Sequence, residues 1–222
     1  MSDRKPRRPR HQLLALSPDR PAEELLHEAE KALAVMLGVI VVIWVVQIAN
    51  WADSYHLTFD YGIVPRDAGR LPEILSAPLL HLSWTHIEAN SGPLFIFGFL
   101  AAFRGVKRFA GVTLVTVLTS GMAVWLFQGA HQLVVGASGV IYGYFGYVVV
   151  KGVFDGRLVD VLVGVVMALS FAYLLVAVVP GTPGVSWIGH LGGLVGGIAS
   201  GYLFRERKRP APPAIPDLAL PS

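Results

Sequence analysis

Residues 109–150, FAGVTLVTVLTSGMAVWLFQGAHQLVVGASGVIYGYFGYVVV, contain no Asp, Glu, Lys or Arg. One bilayer span needs about 20 apolar residues, so a run of this length reads as two spans joined by a hairpin at residues 128–132. A second uncharged run, residues 161–204, breaks at Pro180-Gly-Thr-Pro-Gly184 and reads the same way. Working outward, apolar segments near 32–50 and 86–103 complete a set of six spans: 32–50, 86–103, 109–127, 138–151, 158–179 and 187–204. The expected class is all-α, a polytopic six-helix membrane bundle over residues 32–205. Pro93, early in the second span, is expected to bend that helix or mark an irregular start.

Composition agrees. Hydrophobic residues make up 54% of the 222 and charged residues only 15%, against about a quarter charged in a soluble domain. The absence of cysteine excludes disulfides and thiol chemistry. The basic residues lie mostly at the two ends, which does not make a patch suited to nucleic acid. Residues 1–31 read as a basic tail running into a helix start, with Asp19 as cap and Pro21, Glu23 and Glu24 in the first turn. The polar and acidic stretch before Ala32 reads as leading into a retained span and not as a cleaved leader. Residues 206–222 read as a disordered Pro-rich tail. Between the first two spans, residues 51–80 are too polar to cross a bilayer. With Trp51, Tyr55, Phe59 and Tyr61 they read as an element lying at the interface.

Charge sets the expected orientation. Sixteen of the eighteen Lys and Arg residues fall in the N-terminal tail, at 104–108, at 151–157 and at the C-terminus; the alternate connections hold two. By the positive-inside rule both termini are cytoplasmic.

Polar residues within spans are costly and need a reason. Ser138, in Gly136-Ala-Ser-Gly139, stands where the uncharged hairpin enters a helix. Its hydroxyl there is either an ordinary cap or a nucleophile whose oxyanion product meets unpaired N–H groups. His190 opens the last span, ahead of Gly192, Gly193, Gly196, Gly197 and Gly201, a small-residue pattern that lets helices pack backbone to backbone. It is either a hydrogen-bonded packing histidine or a base kept neutral by apolar surroundings. In His81-Leu-Ser-Trp-Thr-His86-Ile-Glu-Ala-Asn90, His86 and Asn90 share one helical face and can both donate to a developing oxyanion. A metal site from His81, His86 and His190 is the weaker alternative, since no HExxH spacing is present. A polar seam between helices is the plain one. Neither uncharged run holds a carboxylate to orient His190. Glu88 points away from His86 and Asn90, so the residues allow a dyad and not a triad.

Taken together and in this order, HLSWTHIEAN, GASGVIYG and HLGGLVGGIASG resemble the rhomboid intramembrane serine proteases, over roughly residues 32–205. The GIVPR and APLLH segments of the first loop look like those of bacterial members. The resemblance implies Ser138 as nucleophile and His190 as general base and acid. It implies an oxyanion hole from the Ser138 N–H with His86 and Asn90. Tyr142 would pack on His190, though alone it reads as an ordinary packed aromatic. His81 would shape the first loop, Gly136 and Gly139 would support the nucleophile, and Gly193, Gly197 and Gly201 would lie in helix seams. It further implies hydrolysis of transmembrane protein substrates within the lipid bilayer of a bacterial inner or plasma membrane. The site would open to the outer side, prefer small residues before the cleaved bond, and use no metal or cofactor. The oligomeric state stays open. A catalytically silent member that binds transmembrane clients is the alternative. Two departures stand out: the first loop lacks the family's Trp-Arg pair, and Glu88 occupies a place expected to be apolar or small.

Overall fold

The computed structural model describes residues 22–130, 132–181 and 183–206. Most of both expected tails (1–21 and 207–222), the Asp19 cap, Pro21, His131 and Thr182 therefore lie outside the described residues, while Glu23 and Glu24 stand in the first turn of a helix that begins at Ala22. Among the described residues seven α-helices follow in order: α1 Ala22–Ala52, α2 His56–Tyr61, α3 Trp84–Ala102, α4 Val106–Phe127, α5 Ser138–Asp155, α6 Leu158–Ser170 and α7 Trp187–Leu203. Short 3-10 turns cover Ala68–Ile74, Ala77–Leu79 and Ala172–Val178. The described residues are helical throughout, apart from their connecting turns and one isolated antiparallel bridge, Ile63 to Val134.

Helix α5 is the axis of the bundle. It touches α3, α4, α6 and α7, and every residue from Gly139 to Val148 is buried. Its glycines make this possible. A Cβ at Gly193 or Gly197 of α7 would run into the carbonyl oxygen of Gly139 or Gly143 on α5, so the two backbones lie in direct contact. The adjacent face of α7 does the same against α4, where Gly192 and Gly196 meet Ala123 and Thr119. Such seams follow from small residues at four-residue spacing in an environment where packing replaces hydrophobic drive. At Gly201, by contrast, the nearest atoms belong to the side chains of Val150 and Phe154.

By length and composition, α1 and α4 can each cross a bilayer, and α6 with the following 3-10 turn makes a third if the bent pair counts as one span. The remaining helices are less clear-cut. Helix α3 is polar over its first half, α5 carries Lys151 and Asp155, and α7 has 17 residues. Helix α1 buries few residues and leaves Leu33, Leu37, Val41, Val45 and Ile48 exposed.

One sequence expectation is corrected here. The segment 158–179 is not one helix. It breaks at Phe171, and its two pieces are bent by 65°. Phe171 is held edge-on against Phe97 at 4.8 Å, and two carbonyls beyond the break are taken by side chains of other helices, described below. Those contacts override the apolar pattern. Helix α3, conversely, runs through Pro93 from Trp84 without a break. Its start is set by Ser83, whose hydroxyl accepts from the His86 N–H at 3.2 Å, an ordinary N-cap.

The ends of the bundle differ in kind. At one end the α3–α4 turn, the α5–α6 turn and the end of α7 are tied by charge. Arg104 pairs with Asp160, Lys151 with Asp155 at 2.7 Å, and Arg157 with Glu206 at 2.6 Å. Gly156, at φ +66, closes α5 by donating to the Gly152 and Val153 carbonyls, the left-handed cap that glycine adopts without strain. At the other end the first loop folds over the α4–α5 hairpin through uncharged carbonyls. Within the loop, the Arg70 guanidinium donates to the carbonyls of Phe59 (2.8 Å), Asp60 and Gly62. Arg66 reaches that of Gln128 at 2.8 Å, and the Gly136 N–H donates to Ala77 at 2.9 Å. Trp51, Phe59 and Tyr61 remain exposed on this loop.

Candidate active site

Beneath that loop lies a cavity of about 850 Å³, bounded by the loop, α3, α4, the hairpin and the start of α7. Ser138, His190, His86 and Asn90 all line it. Ser138 is the first residue of α5, and its hydroxyl does not cap that helix. It sits 2.8 Å from Nε2 of His190. The hydroxyl's alternative reading as a cap is thereby set aside.

His190 is placed by α7, which Ser186 opens by accepting from the Gly189 N–H at 3.2 Å. On α4, Ser120 donates to the Gly189 carbonyl at 2.8 Å and ties the same turn down. The imidazole is stacked on Tyr142, ring centroids 4.2 Å apart and planes 16° off parallel. Tyr142 lies one turn after Ser138 on α5, which puts both on one face. The other imidazole nitrogen, Nδ1, lies 2.9 Å from the Ala177 carbonyl. A carbonyl only accepts, so Nδ1 carries the proton and Nε2 presents its lone pair to the Ser138 hydroxyl.

His86 and Asn90 converge on Gly136, two residues before Ser138. A Cβ there would lie 2.8 Å from Nε2 of His86 and 3.7 Å from Nδ2 of Asn90. Gly136 also has φ +122, so glycine is required both for space and for backbone. His86 Nδ1 accepts a long hydrogen bond, 3.5 Å, from the Leu82 N–H, which leaves Nε2–H free to donate into the cavity. Asn90 is buried, and its amide nitrogen makes no hydrogen bond among the described residues. A buried donor without a partner costs about 1–3 kcal/mol, and here it faces a cavity. Glu88 is exposed on α3, away from this cluster.

His81 shapes the wall behind. Its carbonyl accepts from Asn50 at 3.1 Å, its Nε2 receives the Ala137 N–H at 3.5 Å, and its ring stands edge-on to His86 at 5.0 Å. Burial, and then the neighbouring His86, push its pKa down to about 3 from 6.5. A proton is therefore tolerated less in the folded than in the unfolded chain. The stability that follows is complete above pH 6.5 and is lost as pH falls toward 3, by up to about 1.4 kcal/mol per unit. Melting followed between pH 7 and pH 5 should show this slope, and His81→Asn should flatten it. Equal slopes in the two proteins would remove His81 as the source.

Two contributors had no trace in the sequence. The carbonyls of Ala177 and Leu174 hold His190 and, at 2.6 Å, the Tyr142 hydroxyl. Any residue type supplies a carbonyl, so no side chain marks them. Ser186 could have been found, as a Ser just ahead of an apolar helix start.

Comparison with known families matches residues 68–207 to the rhomboid domain. The chain belongs to the rhomboid family. Among curated relatives, the uncharacterized Mycobacterium tuberculosis protein Rv1337 is 30% identical over 184 residues, 79% of this chain and 76% of that one. The Haemophilus influenzae rhomboid protease GlpG is 25% identical over 197 residues, 84% of this chain and 97% of the relative. The putative rhomboid protease YdcA of Bacillus subtilis is 26% identical over 161 residues, 71% and 77% of the two chains. Membership of this rhomboid family and the apolar helices make the chain a multi-pass membrane protein.

Proposed function

We propose that this rhomboid is an intramembrane serine endopeptidase acting through Ser138 and His190. The reading rests on one observation above others: a serine hydroxyl at a helix start, 2.8 Å from an imidazole nitrogen whose ring is fixed on its far side. Ser138 Oγ attacks the substrate carbonyl while Nε2 of His190 takes its proton. The oxyanion is met by the Ser138 N–H, His86 Nε2–H and Asn90 Nδ2–H. His190 then protonates the departing amine, leaving an acyl-enzyme. Water, giving its proton to Nε2, attacks that ester, and Ser138 Oγ recovers the proton as the acid departs.

The remaining parts of the proposal rest on the chain's charge and hydropathy patterning and, for the membrane and the small residue before the cleaved bond, on what the family resemblance implies. All of α1, α3, α4, α5, α6 with its 3-10 continuation, and α7 cross the membrane, giving six spans within residues 32–205, and 1–31 and 206–222 flank them as tails. Both termini are cytoplasmic, because the charged end of the bundle carries the positive-inside excess. The cavity then faces the outer side of a bacterial inner or plasma membrane, where water for deacylation is at hand. Substrates are transmembrane segments that unwind readily, since an exposed backbone is costly in lipid, with a small residue before the cleaved bond.

The test is covalent labelling of the full chain in lipid by a fluorophosphonate, with mass mapping. Labelling at Ser138 that is lost in Ser138→Ala and His190→Ala supports hydrolysis. An unlabelled but folded wild type favours a catalytically silent binder of transmembrane clients. For the oxyanion hole, Asn90→Ala should lower turnover of a transmembrane substrate about 10²-fold with little change in KM, the pattern of an interaction made in the transition state. A change confined to KM would move Asn90 from catalysis to binding.

A further inference from the structure

The 3-10 segment Ala172–Val178 buries none of its residues, yet both of its inward hydrogen bonds go to the dyad's neighbourhood. The Ala177 carbonyl faces Nδ1 of His190 at 2.9 Å, and the Leu174 carbonyl accepts the Tyr142 hydroxyl at 2.6 Å. Tyr142 in turn stacks on His190. One segment therefore fixes the imidazole twice, once in its plane and once through the ring against its face. Serine hydrolases need a third group to hold the histidine in the right tautomer, ordinarily a carboxylate. Neither Asp nor Glu occurs in residues 161–204, and the nitrogen such a group would occupy is already taken.

Resting on the hydrolytic reading above, we infer that the Ala172–Val178 strap is the positioning element of this site, its two carbonyls standing where a third catalytic side chain would act. The Ala177 carbonyl selects the Nδ1–H tautomer, and only that tautomer offers Nε2 as a base to Ser138. The strap leaves α6 at 65°, and a 3-10 turn has weaker internal hydrogen bonds than an α-helix. Displacing it would free the imidazole to change tautomer and turn. A neutral carbonyl also orients without adding a negative charge, which suits a site with apolar surroundings.

The experiment combines ¹⁵N-histidine NMR of the full chain in lipid with rates of fluorophosphonate labelling at Ser138. Wild type should show His190 protonated on Nδ1. Val178→Pro forces the preceding residue out of the helical region and so turns the Ala177 carbonyl. It should give mixed tautomers and label about ten-fold more slowly or worse. Tyr142→Phe keeps the stacked ring, drops only the bond to Leu174, and should slow labelling about three-fold, a modest share of what a full tautomer loss costs. It serves as the deciding variant if Val178→Pro does not fold. Leu37→Ala, on the exposed side of α1 and away from the cavity, should keep the wild-type rate. His190 protonated on Nε2 in a labelled wild type, or wild-type rates in folded Val178→Pro or Tyr142→Phe, would overturn the strap's role. A folded wild type that shows Nδ1–H but takes no label would strike the hydrolytic reading on which that role depends.

Discussion

Ser138→Ala, His190→Ala and the double variant should each lose about 10³-fold or more of substrate turnover, and by nearly the same factor. The reason is geometric. Ser138 Oγ and His190 Nε2 share one hydrogen bond of 2.8 Å, and in the proposed mechanism neither performs a useful step without the other. Residues that act as one unit are strongly non-additive, so removing the second costs little once the first is gone. The rate that survives above water's should come from the oxyanion donors and from substrate binding, which the variants leave in place. Turnover of a fluorescent transmembrane substrate in liposomes measures all three. Additive losses, with the double variant down by the product of the singles, would mean that serine and histidine act in separate steps, contrary to the proposed mechanism.

Gly197→Val should fail to accumulate as folded protein, or melt far below wild type. A Cβ at this position lands on the Gly143 carbonyl oxygen. Backbone cannot move aside as the end of a flexible side chain can, so α5 and α7 would have to separate along the seam that also sets Ser138 against His190. Overpacking of a tight core costs about 1–3 kcal/mol where side chains yield; a backbone contact should exceed that range. Gly38→Ala is the control. Gly38 lies on the exposed side of α1, where an added Cβ would meet nothing within 4 Å. The change should leave stability as it is or raise it slightly through helix propensity. Thermal melting in matched detergent compares them. A Gly197→Val protein as stable as wild type would show that the seam has slack.

What was readable in the sequence divides along chemical lines. Ser138, His190, His86 and Asn90 announce themselves because polar groups in apolar runs need a reason, whereas Tyr142, alone an ordinary packed aromatic, stands out only through the family resemblance. The structure sets the first four around one cavity and stacks the fifth on His190. The glycine seam was readable too, since spacing by four implies one face. The break at Phe171 was not, because residues 158–179 are almost uniformly apolar and an apolar run says nothing about where a helix must bend. The bend comes from partners distant in the chain: Phe97 against Phe171, and donors on α5 and α7 that claim carbonyls. The first loop was legible as an interfacial element. Its hold on the hairpin through Arg66, and its internal bracing by Arg70, were not, since arginines in a loop ordinarily read as solvated.

Helix α5 lies at the centre of the bundle, and its place there bears on how the protein is made. Its sequence carries three tyrosines, four glycines, Lys151 and Asp155, a poor offering to a bilayer when newly synthesised and alone. Lys151 and Asp155 satisfy one another at 2.7 Å, which removes much of the penalty, but its glycines and tyrosines find many of their partners on α4 and α7. One of those precedes it from the ribosome and the other follows. During synthesis α5 must therefore wait beside α4, incompletely covered, until α7 emerges about thirty residues later. Ser138 is thus laid down before His190, and the two meet only once α7 has joined α5.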